Sequence, residues 1–371
     1  MKKNLFFVVK IFVFLIPIFA LTVPTPAKAS EKSFFLQGKV LEIEEKRRDS
    51  EAEDQFLDPN LDLSKSKLQI LDVKLSSGEI IKVENEIRGS VLDLKVKKGD
   101  KVSIYGTESE GETKYFLNDF WHLDGIMFWS VMFILGVLAL GGKSGIKALL
   151  SLFISLLLIF FVLIPLVSRG FNAILLAILI SFLVTLVSVS IILGRSRQSY
   201  AAIAGTLGGV VFASFLAFLS GKMSHLSGFG TEDARILAVN LPQINFESIL
   251  FAGMIIGSLG AVMDTAVSIS SGLSEVKKAD SQISFGQVFD AGMNIGRDIL
   301  GSMLNTLIFA YVGASFSLVI FLANSESGLL EVLNYGFISE EIVRSLAGSF
   351  GLLSSIPLTS LAAAYFFSRV K

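Results

Sequence analysis

No cysteine occurs among the 371 residues, which excludes disulfides, thiolate metal sites and thiol nucleophiles. Histidine occurs twice, at His122 and His225, too few to support a histidine-built metal centre, and no metal site is expected. Lysine plus arginine number 32 against 33 acids. The chain therefore has no basic surplus, and nucleic acid is not an expected partner. HExxH, GxSxG and GxGD-like signatures are missing. LGGKS at 140–144 lacks the glycine that a phosphate loop needs at 137, where Val137 stands. No catalytic residue and no cofactor motif is found, so an enzyme is not expected.

What remains is hydrophobic. AVILMFWYC residues make up 52% of the chain and phenylalanine alone contributes 32, a composition outside that of ordinary soluble domains. The expected fold is an all-α polytopic membrane bundle preceded by a small β domain. Residues 1–29 open with lysines, continue through the apolar run LFFVVKIFVFLIPIFALTV and end in PTPAKAS. That order is the pattern of a cleavable secretory signal, with an uncleaved anchor as the alternative. Residues 30–118 alternate in short runs, FFLQGKVLEIEE, KLQILDVKL, EIIKVENEI, VLDLKV, KVSIYG and KYFL, separated by SSGE, RGS and KKGD. Five or six strands at this spacing predict a small closed barrel, oligonucleotide/oligosaccharide-binding-like in type, with the charged stretch 44–62 as a loop.

Residues 119–371 form the third region. A crossing needs about 20 apolar residues, and seven spans are expected, near 124–141, 147–167, 171–193, 200–221, 248–273, 298–322 and 345–367. Loop charges agree with this count. With the barrel extracytoplasmic, Lys143, Lys147, Arg195, Arg197, Lys277, Lys278, Arg369 and Lys371 all fall on the inner side. The expected location is the plasma membrane, multi-pass, with a cytoplasmic C-terminus. Residues 285–298 are amphipathic and are expected along the inner surface or as a half-helix ahead of the sixth span.

The most polar stretch at membrane depth runs from Phe251 to Tyr311. Gly253, Gly257, Gly260, Asp264, Ser268 and Ser271 recur at steps of three or four, and so share one helix stripe. Asp290, Asn294, Arg297, Gly301 and Asn305 form a second stripe with Asp298 beside it. Glycines at four-residue spacing, GMIIG at 253–257 and GMNIG at 292–296, allow close backbone approach. The expected helix-packing positions are Gly253, Gly257, Gly260, Gly292, Gly296 and Gly301. Charged groups within a bilayer face a partner charge, a bundle interior or water. An Asp264 to Arg297 pair is therefore expected, and the substrate-or-ion-binding set is Asp264, Asn294, Arg297, Asp298 and Asn305. AGTLG, IGSLG and AGSFG recur at 204–208, 256–260 and 347–351. An inverted repeat and a shared glycine-rich composition both account for this, and composition is the simpler reading.

GSLGAVMDTAVSISSGL at 257–273 and GMNIGRDILGSMLNTLIFAYVG at 292–313 resemble the YibE/F family of multi-spanning bacterial membrane proteins. The resemblance extends over about 125–369 and takes in the amino-terminal domain. It implies a permease-like membrane protein without an assigned reaction. Its motifs contain Asp264, Asn294, Arg297, Asp298 and Asn305. Two functions are open: a permease for an unknown solute or ion, and a non-transporting sensor or scaffold whose outer domain binds a ligand or partner. Besides the lipid bilayer, the glycine faces suit a second copy, giving a homo-oligomer, or a membrane partner protein.

Overall fold

The computed structural model describes residues 32–47, 67–87, 93–109 and 112–368. The proposed signal at 1–29 and most of the charged insert lie outside these residues. The chain divides into two compact units, Met1–Gly136 and Val137–Lys371.

The first unit holds five strands, β1 Lys32–Arg47, β2 Lys67–Leu75, β3 Ile80–Ile87, β4 Lys101–Ser109 and β5 Glu112–Phe120. They close as a barrel in the order β1-β2-β3-β5-β4. Alternation of period two sends one side of each strand inward. Val40, Leu71, Val73, Val83, Val102 and Ile104 form the core. Asn85 is buried with them and is satisfied by donating to Gln69 Oε1 at 3.0 Å and to the Leu94 carbonyl at 2.9 Å. Gly106 pairs with Phe34 across β1 and β4, and the Phe34 ring occupies the space a Cβ at Gly106 would need. The described residues 93–96 of the expected VLDLKV strand carry no regular structure, and the charge-rich end of β1 runs on as strand to Arg47 instead of opening into a loop at residue 44.

Helix α1 spans Leu123–Leu158 and is followed by a π turn at Ile159–Leu163 and by α2 at Ile164–Ser168. Its backbone breaks at Gly142, with φ 51° and ψ −123°, a region that glycine enters without a Cβ clash. The second unit continues with α3 Ala173–Leu193, α4 Arg197–Met223, α5 Glu232–Asn240, α6 Phe246–Ala279, α7 Phe285–Ala314, α8 Phe316–Ala323, α9 Leu329–Leu333 and α10 Gly336–Ser368. Polar caps fix the starts. Asn172, Ser196, Thr231 and Asn245 each accept a backbone N–H three residues on, and Ser284 and Gln287 form a capping box at the head of α7.

Among the described residues, five helices are long and apolar enough to cross a membrane, or six if the bent pair α7 and α8 counts as one. The expected first and second spans fall within one of the five, the stretch Leu123–Ser168 that is interrupted at Gly142. The break in the 285–323 stretch does not fall near residue 298. Helix α7 is continuous from its capping box, and the chain bends by 71° at Ser315, where the Ser315 N–H closes on the Tyr311 and Gly313 carbonyls. Two small residues just ahead of it, Gly313 and Ala314, permit the tight turn.

The helical core is built by α4, α6 and α10. Its contacts are made by small side chains: a Cβ at Gly209 would stand 3.0 Å from the Gly351 carbonyl oxygen, and one at Gly351 2.7 Å from the Ala213 methyl. Buried hydroxyls here bond their own helix, as Thr206 does to Ala202, Ser258 to Ile255 and Ser360 to Ile356. This lets most polar residues sit at a close-packed seam with their donors met; the Thr359 hydroxyl, packed against Gly205, is an exception, with no partner among the described residues.

Candidate functional site

Helix α6 carries two distinct faces. One is buried and comprises Phe251, Met254, Ile255, Ser258, Leu259, Val262, Thr265, Ala266, Ile269 and Ser270. The other is exposed and comprises Gly253, Gly257, Gly260 and Asp264, with Ser268 and Ser271 half-buried below them. At about 1.5 Å per residue, the 34 residues of α6 are longer than a hydrocarbon core of about 30 Å. Asp264 lies near the middle of the helix.

Helix α7 splits in the same way. Val288, Gly292, Gly296 and Leu307 are buried, while Asp290, Asn294, Arg297, Asp298, Gly301 and Asn305 are exposed. A Cβ at Gly292 would meet Ser360 of α10 at 2.6 Å and Leu273 of α6 at 3.0 Å, and Gly296 closes on Ile356. Gly272 faces Ile295 at 3.0 Å, and Gly257 faces the Tyr311 hydroxyl at 3.1 Å. These contacts fix an antiparallel register for α6 and α7. In it Asp264 falls level with Met303 and one turn or less from Asn305 and Gly301, and Arg297 falls level with Ser270.

The structure sorts the expected residues accordingly. Gly292 and Gly296 pack helices, and Gly257 touches the Tyr311 hydroxyl. A Cβ at Gly253, Gly260 or Gly301 would meet nothing within 4 Å, so in the single chain these three do not pack helices. The physical reason is rotation: α6 turns its apolar and hydroxyl side inward, which carries the glycine stripe outward. The expected Asp264 to Arg297 ion pair is not formed. Arg297 lies about a turn and a half below Asp264 and donates from Nη1 to Asn294 Oδ1 at 3.1 Å on its own helix. Asp264 has no ion pair among the described residues. Ser271 accepts from Gln198 Nε2 at 2.6 Å, which ties that end of the stripe to α4. Asp290, Asn294, Arg297, Asp298, Gly301, Asn305 and Asp264 thus share an open surface of α6 and α7, where the Arg297 to Asn294 bond is the one side-chain hydrogen bond among them in the described residues.

Two features at the Tyr311 end of α7 escaped the sequence reading, in which 323–344 fell between two spans. Residues from Gly336 are helical, and Glu340, only 6% exposed, accepts backbone N–H groups from Gly228 at 3.1 Å and Gly230 at 3.2 Å. This pins the turn after α4 to the head of α10. Arg344 Nε stands 3.4 Å from Glu341. Between them and the glycine stripe, the Tyr311 hydroxyl is buried with no hydrogen-bond partner among the described residues. The apolar spacing Ile338, Val343, Ala347 was the available signal for this helix.

Apolar helices of this length, with a small β-barrel ahead of them, are compatible with a multi-pass membrane protein. The chain belongs to the family described as YibE/F-like protein, which matches residues 129–369. Neither a curated protein nor a solved structure matches it.

Proposed function

We propose that the chain is a plasma-membrane permease that moves an ion or small solute along the open face of α6 and α7. Asp264 carries this reading: an acid near the middle of a 34-residue apolar helix, bordered by glycines with free space beside them and without an ion pair among the described residues. Ionisable groups at such depth mark ion or substrate pathways. Glycine at 260, where nothing among the described residues lies within 4 Å of a Cβ, leaves room for a solute next to the carboxylate. Asn305, close to Asp264 in level, offers a neutral ligand, while Asn294, Arg297 and Asp298 stand toward the inner end. A carboxylate there holds a cation or carries a proton, and Arg297 attracts an anion.

The test uses purified chain in proteoliposomes with a pH-sensitive dye inside, under an imposed proton gradient. Proton flux above empty vesicles is expected, and Asp264→Asn should reduce it at least tenfold. Equal flux in both proteins would remove Asp264 from the pathway.

A second reading has its own observation. Phe35, Tyr105 and Phe116 are exposed at 58%, 41% and 44% and are directly paired neighbours across β1, β4 and β5. Trp121 stacks on Phe35 at 6.2 Å between ring centroids. Such an aromatic row on the barrel suits a sensor that grips a partner or ligand outside the membrane. Removing residues 30–118 separates the two: a permease keeps flux, and a sensor loses all response.

A further inference from the structure

The glycine motif recurs three times, and the structure uses it in two ways. AGTLG of α4 and AGSFG of α10 lie in the same seam: Gly205 closes on Thr359, Gly209 on Gly351 and Ser355, and Gly351 on Ala213. The glycines of IGSLG in α6 look away from that seam. Among the described residues, nothing lies within 4 Å of a Cβ built at Gly253 or Gly260. The uncovered face continues onto α7 through Asp290, Asn294, Arg297, Asp298, Gly301 and Asn305, all exposed. Small residues gain little from acyl chains, and charges there are costly. A surface of this kind in a membrane protein has a cover.

We infer that the cover is a second copy of the chain, docked on the same face about a two-fold axis along the membrane normal. All copies insert in one orientation, so such an axis sets α6 parallel to its copy. Gly253 and Gly257, in GMIIG, have the four-residue spacing through which parallel membrane helices approach most closely. Charge selects a copy over an unrelated helix. The face carries both signs, and Arg297 and Asp298, adjacent in sequence, stand at one depth. The two-fold preserves depth, so each Arg297 comes level with the Asp298 of the other copy. Among the described residues, Arg297 forms no ion pair in the single chain and bonds only Asn294 on its own helix, which leaves its charge uncompensated on this face. The same axis sets the two Asp264 carboxylates at one level, each bordered by glycine and by Asn305, inside the assembly and away from lipid. The face that serves as a pathway in the proposed function is then completed by two chains.

This inference rests on the membrane placement of α6 and α7 and not on transport. Because the chain has no cysteine, one introduced thiol is unique. Gly253→Cys and Gly257→Cys are compared with Phe215→Cys, a residue 59% exposed on α4 and, from the Gly221 to Phe251 and Gly209 to Val262 contacts, at the depth of Ile256. Full-length protein is oxidised with copper phenanthroline in native membranes. The glycine positions should yield a band of twice the chain mass at least tenfold faster than Phe215→Cys. Gly253→Leu, whose side chain has free space within one chain, should keep the helical circular dichroism yet run at half the mass of the unaltered protein in lipid nanodiscs. Glycine positions that cross-link no faster than Phe215→Cys, cross-links to a different protein, or an unaltered chain that is already monomeric would each overturn the inference. Loss of proton flux in Asp264→Asn would leave the cross-links in place, so failure of one reading is distinguishable from failure of the other.

Discussion

Glycine has two roles in this chain, and neighbouring residues decide which. At Gly296 the Ile356 side chain already fills the place of a Cβ, and at Gly292 Ser360 does so at 2.6 Å. At Gly253 and Gly260 that place is empty. Gly296→Val should therefore destabilise the protein by about 1–3 kcal/mol, the usual range for overpacking a closed seam. Gly253→Val should change thermal stability little in monomeric detergent preparations, where neither lipid nor a second copy presses on the site. Thermal unfolding followed by circular dichroism compares the two. Equal loss in both would mean that the α6 stripe is packed within the chain. The sequence showed both glycines at helical spacing but not this difference. GMIIG and GMNIG have the same form, and only the choice of inward face separates them. On α6 that choice is masked because Ser258, Thr265 and Ser270, buried, resemble Gly257, Gly260 and Ser268, not buried, in size and polarity.

At the scale of elements, caps and breaks did most to shape the bundle. The caps Asn172, Ser196 and Asn245 set the starts of α3, α4 and α6 in the structure and were not part of the sequence reading; those starts were legible to within three residues from the apolar runs expected from 171, 200 and 248. The bend at Ser315 was not, since AYVGASFSLVIF has no proline and its glycine is ordinary in membrane helices. The head of α10 was hidden by acids that read as loop charges. Glu340 is the residue that fastens it, accepting two backbone N–H groups from the 228–230 turn. Glu340→Ala leaves both donors without that acceptor and should cost about 1–3 kcal/mol. Glu340→Gln keeps a carbonyl oxygen in place and should cost less. Faster cleavage of the 224–231 turn by protease in Glu340→Ala, with little change in Glu340→Gln, is the expected result.

At the scale of the whole molecule, composition and loop charge made the membrane class and the small barrel readable, and two long motifs carried the family. The barrel's aromatic row was not readable as a row. Phe35, Tyr105 and Phe116 are far apart in sequence and become neighbours only through the β1·β4 and β4·β5 registers. The inner basic residues, from Lys143 to Lys371, predict a cytoplasmic C-terminus. Green fluorescent protein fused after Lys371 should fluoresce, and alkaline phosphatase at the same point should be inactive. The reverse pattern would invert every span and move Arg297 to the outer half.

The permease reading depends on water, and not acyl chains, reaching the α6 and α7 face beside Asp264. The most direct measurement is the reaction of single cysteines in intact membranes with a charged, membrane-impermeant thiosulfonate. Ser268→Cys and Asn305→Cys should react well above the rate of Phe215→Cys, which faces outward from α4, and reaction should slow when Asp264 is also changed to Leu. If Ser268→Cys and Asn305→Cys react no faster than Phe215→Cys, the face is dry and the account of Asp264 as part of a pathway is contradicted.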